Sequence, residues 1–349
     1  MKKLLCVLLC MVLLASLPLA ATTAEDQVIL TFTYKQSASD DPLERWVTDQ
    51  NIIGQFEATH PGVKIELRPI ASTEGDYATL LALQLSSEKT APDIFMEDTY
   101  MTATDAAAGY LACLDDELAA WVDYAHYVHG AKAAVLGADG KSYGIPISTD
   151  SRGIWYSIPV LEAAGIKTPW QPASWEEILD AARKIKAYSD ANSLGIQPLH
   201  LTVGAINGEA VSMQTFEMLL YGTKDLMYEN GKWLVAGPGL NDTFQFIENV
   251  YKEGVGLALD IALSADGLPT VVAHLFPNAG VGMSMNVSTL VGYWLPGAAA
   301  PIENITEKIG FAAMPTQNGD PATVTICGGW SWAISAYCEH KDLAFEFLS

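Results

Sequence analysis

The sequence predicts an α/β protein of two lobes, and three observations carry that prediction. Strand-like and helix-like patterns alternate from residue 28 to residue 111. The stretch 144–157 then reads as two short extended segments around a polar middle, as expected where a chain crosses between two layers. Beyond it the same alternation resumes, and 349 residues are enough for two domains of ordinary size.

Residues 28–33 alternate apolar and polar as a first strand should, with Tyr34 and Gln36 at its end. Asp41-Pro42 starts a helix, because proline at the first helical position gives up an N–H that has no partner there. Leu43, Trp46, Val47, Ile53 and Phe56 form its stripe, and Pro61-Gly62 turns the chain into a strand over 63–67. Strand, helix and strand within 40 residues make a βαβ unit and a mainly parallel sheet. A helix over 77–85 and a strand over 92–96 repeat the unit. Ligands of open α/β sheets bind beyond the carboxyl ends of strands, which singles out Tyr34, Gln36, Glu97, Asp98 and Tyr100. Asp98 or Thr99 also suits the cap of a helix running from Tyr100 to Ala108 and stopping at Gly109.

In the central stretch, 144–147 and 153–156 suit a half-buried extended backbone. Between them Thr149, Asp150, Ser151 and Arg152 place polar groups where a packed strand wants none. A crossing between lobes accounts for both halves of the pattern, and an edge strand with a solvated bend is the alternative; within the crossing, Asp150 either meets a ligand or pairs with Arg152 or Lys141 and steadies the segment. Ser174-Trp-Glu-Glu177 is a capping box ahead of the apolar face Ile178, Ala181, Ala182, Ile185. Residues 190–209 read as loop, and Asp190-x-Asn192 lacks the remaining ligands of a calcium loop. Helical faces return at 211–220 and 242–253, with a short hairpin strand at 232–235 between them. Strands follow at 281–286, with Asn286 at its polar exit, and at 309–315. Gly328-Gly329 then bends or closely approaches other backbone beside Trp330 and Trp332, and a helix begins at His340. It is still running at residue 348, so the chain is expected to be a fragment of a longer one.

Composition limits the function. Lys2-Lys3, an apolar run from Leu4 to Leu17 and the small residues up to Ala24 predict a secretory signal peptide over 1–24. Its apolar run falls short of the about 20 residues a membrane span needs. Val7-Leu8-Leu9 before Cys10 are not the small residues of a lipoprotein signal, so export without a lipid anchor is expected, to the periplasm or the exterior. Cleavage after Ala24 removes two lysines and moves the formal charge from −22 to −24. So acidic a chain does not suit nucleic acid or an anionic membrane. Cys113, Cys327 and Cys338 have no metal-ligand spacing and fit three buried thiols, or one disulfide and a spare. His126 and His129 are three apart on a predicted helix, with no third metal ligand nearby. No cofactor is expected.

Four patches in a fixed order resemble the extracellular solute-binding proteins of ABC importers, in particular the family of maltose- and multiple-sugar-binding proteins. They are Phe56 to Ile65; Ala91-Pro-Asp-Ile-Phe95 with Ala108-Gly-Tyr-Leu111; Gly144 to Tyr156 with Leu161 to Gly165 and Ser174 to Glu177; and Gly310 to Pro315 with Gly328-Gly-Trp330 and Ala344 to Leu348. The resemblance implies the type II periplasmic-binding-protein fold, two α/β lobes with a hinge and a ligand cleft between them. Lobe 1 would hold 25–148 and 331–349, lobe 2 would hold 152–326 without its C-terminal part, and the hinge crossings would be 144–152 and 326–331. It also implies capture of a carbohydrate by a monomer and delivery to the transmembrane subunits of an ABC permease. Matched by position, Tyr34, Gln36, Asp98, Asp150 and Trp330 fall where the family contacts ligand. Where many relatives carry Asn-Gly-Ser-Trp, this chain has Asn286-Val-Ser-Thr289, without the stacking aromatic.

The residue types suit a sugar. Tyr100 and Trp330 offer rigid faces to the C–H side of a pyranose, while Asp98, Asp150, Arg152 and Asn286 suit its hydroxyl rim. Trp155, Trp170, Trp175 and Trp332 are expected in the core. Two other functions fit less well. A polyamine site needs several converging carboxylates, and a secreted glycosidase needs a carboxylate pair, for which Glu97, Asp98 and Asp150 are the candidates.

Overall fold

The computed structural model describes residues 27–36, 47, 50–72, 74–229 and 231–349. The predicted signal peptide and the helix start at Asp41-Pro42 lie outside the described residues. By their contacts the residues form two units, one reaching to Met96 and resuming at Ala333–Ser349, the other spanning Glu97–Trp332.

In the first unit β1 (Val28–Gln36) pairs in parallel with β2 (Val63–Ala71), Val28 opposite Val63, and with β3 (Ile94–Asp98). β1 runs three residues past its predicted end, so Tyr34 and Gln36 lie within the strand. Leu30, Phe32 and Tyr34 on one face and Thr31 and Thr33 on the other are all buried, as in a parallel strand covered on both sides. Asp93 fixes the register: its carboxylate accepts from Thr31 N–H at 2.8 Å and from the Thr31 hydroxyl at 2.7 Å. The helix Ile52–Thr59 and the last helix, Lys341–Leu348, meet through Phe56 and Phe347, whose rings are 5.2 Å apart.

The five-stranded sheet has the order β2-β1-β3-β11-β4, with β4 at Ile145–Pro146 and β11 at Trp330–Ile334. A second, four-stranded sheet lies in the unit Glu97–Trp332, in the order β10-β5-β9-β6. Its strands are β5 (Arg152–Ser157), β6 (Gln197–His200), β9 (Val281–Val287) and β10 (Ile309–Ala313). Between β6 and β9 in sequence, β7 (Tyr228–Glu229) and β8 (Lys232–Trp233) form the expected hairpin. β5 is buried along its whole length and serves two cores by alternation. Ile154 and Tyr156 pack with Ile178, Ala182 and Ile185 of the helix Trp175–Asn192, which Ser174 caps through Glu177 N–H. Trp155 packs on the opposite side with Val272, Phe276 and Trp294.

Three expectations change. The end of the helix Trp175–Asn192, strand β6 and a 3-10 turn at Ala205–Asn207 occupy half of the segment read as loop. β6 is only four residues long, and its partner β9 follows more than 80 residues later in the sequence, too far for local pattern to reveal. His126 and His129 do not share a helix: one ends a 3-10 turn, Val122–His126, the other starts the helix His129–Ala134, and Tyr127 and Val128 between them are extended. Among the described residues Cys113, Cys327 and Cys338 form no disulfide, and instead of being buried Cys327 is exposed and the other two are half-buried. Trp155, Trp175 and Trp332 are buried as expected, and Trp170 packs against the first core. No helix among the described residues is long and apolar enough to cross a membrane.

Two measurements test this packing. Trp294 is fully buried and donates its indole N–H to Val272 O at 2.9 Å. Trp294→Ala should therefore cost about 3–5 kcal/mol in urea unfolding. His200 is buried beside the Ser284 hydroxyl at 2.8 Å, and burial lowers its pKa from 6.5 to about 4. It stays neutral in the fold but takes a proton in the unfolded chain below pH 6.5. Its contribution is full above that pH and is lost as pH falls towards 4, so His200→Gln should flatten the acid side of the stability profile.

Candidate functional site

β4 belongs to the five-stranded sheet and β5 to the four-stranded one, so residues 147–151 carry the chain from one sheet to the other. The returning segment before β11 runs beside them. Asp150 N–H donates to Gly328 O at 3.1 Å, and Ile147 N–H to Trp330 O at 2.8 Å. Trp330 N–H in turn donates to the Ser148 hydroxyl at 3.3 Å. Only glycine fits at 329: its φ is +143°, and a Cβ there would stand 2.3 Å from Ser148 O.

Arg152 is the centre of this crossing. Its side chain is 6% exposed. Nη1 pairs with Asp150 Oδ1 at 2.5 Å and donates to Ile326 O at 3.1 Å, while Nε donates to Gln214 Oε1 at 3.0 Å. Its backbone N–H is held by the Thr325 hydroxyl at 2.8 Å. Asp150 Oδ1 also accepts Gly328 N–H at 3.0 Å, and Oδ2 takes no hydrogen bond among the described residues. Of the two partners open to Asp150 from sequence, the structure selects Arg152 over Lys141.

Gln214 comes from a π-helical turn, Ser212–Phe216, of a kind that recurs at functional sites. The turn runs into the helix Glu217–Gly222. Burial raises the Glu217 carboxyl above its ordinary range and the Arg152 charge pulls it back down. Tyr221 is also raised, first by burial and then by Glu217. Gln214, Glu217, Tyr221, Ser148 and Thr325 are residues that sequence reasoning missed. For Gln214 and Glu217 the one signal was the apolar face of 211–220, which does not reveal a π turn.

Asp98 caps the helix Thr99–Ala107, its Oδ1 accepting Tyr100 N–H at 3.0 Å. Thr99 ties that helix start to the crossing, since its N–H and its hydroxyl both donate to Gly329 O at 3.0 Å. Tyr100 is 60% exposed and Trp330 partly buried. Asn286 lies opposite Gly153 in the second sheet, buried, its carboxamide donating to the Thr202 hydroxyl at 3.5 Å and accepting Val287 N–H at 2.8 Å. Asp98, Tyr100, Asp150, Arg152, Asn286 and Trp330 all lie in the unit Glu97–Trp332. Tyr34, buried, and Gln36, half-buried, lie on β1 of the other unit. No group of three or more His, Cys, Asp or Glu among the described residues is placed to hold a metal ion.

Comparison with known proteins bears on what this arrangement does. The profile of the family described as bacterial extracellular solute-binding protein matches residues 40–349. The lactose-binding protein of Rhizobium radiobacter is 23% identical over 300 residues, covering 84% of this chain and 64% of that protein. The sn-glycerol-3-phosphate-binding periplasmic protein of Rhizobium meliloti is 26% identical over 238 residues, covering 65% of this chain and 50% of its own length. The chain thus spans less than two thirds of these curated relatives. Among solved structures, an ABC transporter solute-binding protein of Thermotoga lettingae bound with alpha-D-tagatose superposes with a TM-score of 0.71. It is 22% identical, over 92% of this chain and 77% of that one. The fold is that of the type II periplasmic binding proteins.

The crossing can be tested through Arg152. Arg152→Met leaves the Asp150 carboxylate, 14% exposed, without its cation and Gln214 Oε1 without its donor. The expected loss is about 3–5 kcal/mol in urea unfolding, part of it regained when Asp150→Asn is added.

Proposed function

The chain belongs to the bacterial extracellular solute-binding protein family, and from that premise we propose that it captures a carbohydrate outside the cytoplasm and hands it to an ABC permease. Capture is non-catalytic: two lobes, 25–148 with 331–349 and 152–326, close on the ligand through the crossings 144–152 and 326–331, driven by contacts made in both. Export depends on residues 1–24, cleaved as a signal peptide, and the mature chain acts as a monomer.

The observation that carries the carbohydrate reading is the mixed chemistry around the crossing. Asp150 keeps Oδ2 for a ligand hydroxyl while Arg152 and Gly328 N–H hold Oδ1. Asp98 and Glu217 add acceptors, and Tyr100, Trp330 and Tyr221 add aromatic faces with polar edges. A sugar presents both kinds of surface, whereas a polyamine calls for converging negative charge, and here Arg152 neutralises Asp150. The same pairing speaks against Asp150 as half of a glycosidase pair. Lactose and tagatose in the names of the relatives point the same way, since both are sugars. Arg152 and Asn286, both buried, serve this reading by holding Asp150 and the β5–β9 pair in place rather than by reaching the ligand.

A thermal-shift screen of the chain from Glu25 to Ser349 against mono- and oligosaccharides, sugar alcohols, polyamines and amino acids tests the proposal. A sugar at 100 times its dissociation constant should add about 2.7 kcal/mol. The shift should vanish in Asp150→Ala and in Trp330→Ala. Stabilisation by polyamines alone, or by no compound in the screen, overturns the carbohydrate reading.

A further inference from the structure

β5 starts at Arg152, one residue beyond the reach of its neighbour β10. Ala313, the last residue of β10, stands opposite Gly153, and there β10 leaves the sheet. The Ala313 N–H and C=O are taken by the Gln171 carboxamide at 2.9 Å each, and Met314 O accepts Val324 N–H at 3.0 Å. Successive residues of an extended strand turn their N–H and C=O to opposite edges. Ser151 turns towards the end of β9: its N–H donates to the Ser288 hydroxyl at 3.2 Å and its C=O accepts Ser288 N–H at 2.7 Å. Arg152 therefore turns to the other edge, where β10 no longer runs.

The Thr325 hydroxyl stands at that edge. It accepts Arg152 N–H at 2.8 Å and donates to Arg152 C=O at 3.1 Å, so one side-chain group does what the C=O and N–H of a neighbouring strand would do. A hydroxyl can play both parts because it carries one proton and two lone pairs, whereas a methyl group in its place supplies neither. Folding back of the chain after β10 delivers it, since Val324, bonded to Met314, immediately precedes Thr325. The next residue, Ile326, gives its carbonyl to the guanidinium of the same arginine at 3.1 Å. Two consecutive residues of the returning segment thus hold Arg152, one by its main chain and the other by its side chain.

We propose that Thr325 is a positioning residue of the ligand site: its hydroxyl replaces the strand partner that β10 does not supply, and by fixing Arg152 it sets where Asp150 presents Oδ2. The link is direct, because Arg152 Nη1 carries Asp150 Oδ1. Without the hydroxyl, the N–H and C=O of a largely buried residue lose their partner, and the start of β5 spends part of its time away from the binding geometry. Apparent affinity then falls in proportion to the fraction of molecules that still hold that geometry. The effect on affinity rests on the carbohydrate reading; the hold on the Arg152 main chain stands without a ligand.

The test compares wild type with Thr325→Val, which keeps the shape and removes the hydroxyl, and Thr325→Ser, which restores it. Thr323→Val is the control: it lies on the same returning segment, and its side chain makes no hydrogen bond among the described residues. Calorimetric titration uses lactose, or the sugar that stabilises the wild type most in the screen, at a temperature where every variant is folded. Thr325→Val should bind about tenfold more weakly, Thr325→Ser within about twofold of wild type, and Thr323→Val like wild type. Amide exchange followed by NMR on arginine-labelled protein, whose arginines are Arg45, Arg68, Arg152 and Arg183, reads the main chain directly. The Arg152 amide should exchange about tenfold faster in Thr325→Val than in wild type or Thr325→Ser. Unchanged affinity or unchanged Arg152 exchange in Thr325→Val overturns the proposal, as does a Thr325→Ser variant that behaves like Thr325→Val. If no sugar binds the wild type, the carbohydrate reading falls on its own, and the exchange rates alone decide whether the hydroxyl fixes Arg152.

Discussion

A guanidinium removed from water must have its donors met from within the protein, because it stays charged and holds its N–H groups in one plane. Arg152 meets that demand with acceptors from three places: the carboxylate two residues before it, the carbonyl of Ile326 on the returning segment, and the amide of Gln214 on a π turn. Each acceptor is constrained in turn. Asp150 is held from the other side by Gly328 N–H, and position 328 is itself pressed, since a Cβ there would lie 3.2 Å from Arg152 Nη1. The two crossing segments and the π turn are therefore positioned by one side chain, and none can move without leaving a donor unpaired.

What depends on that centre is the placement of groups of more obvious chemistry. Trp330 follows Gly329 directly, and its backbone is fastened to Ile147 and Ser148. The helix carrying Tyr100 starts from the same glycine carbonyl through both donors of Thr99. Strand ends and helix starts meet at one short run of backbone, the arrangement by which α/β proteins gather polar groups at the carboxyl ends of their strands.

Much of this was legible in the sequence where local physics decides it. The alternation at 63–67, 281–286 and 309–315, the Ser174 cap and the helix stop at Gly109 all depend on residues within a few positions of one another, and the strands and helices stand there. The polar middle of 144–157 was legible for the same reason: hydroxyls and charges in an otherwise apolar strand mark a break. Long-range facts were not. β6 is four residues containing a proline, and only its parallel pairing with β9 makes it a strand. The acceptors of Arg152 stand 62 and 174 residues away, and one is a backbone carbonyl that any residue would supply. Between the two histidines the chain is extended at Tyr127 and Val128, and the Tyr127 ring lies 5.7 Å from that of Trp121, a contact that the three-residue spacing of the histidines does not reveal.

β5 gives its residues alternately to two cores, Ile154 and Tyr156 to one and Trp155 to the other. A strand anchored this way has no intermediate positions. Sliding it by one residue would drive an indole into the space shaped for an isoleucine and turn Arg152 away from Asp150 at the same stroke. The location of the guanidinium is therefore set in whole-residue steps, like a pawl in a toothed wheel. Substitution of side chains around it can retune the ligand surface gradually, whereas insertion or deletion of a single residue between 150 and 157 would dismantle both cores together.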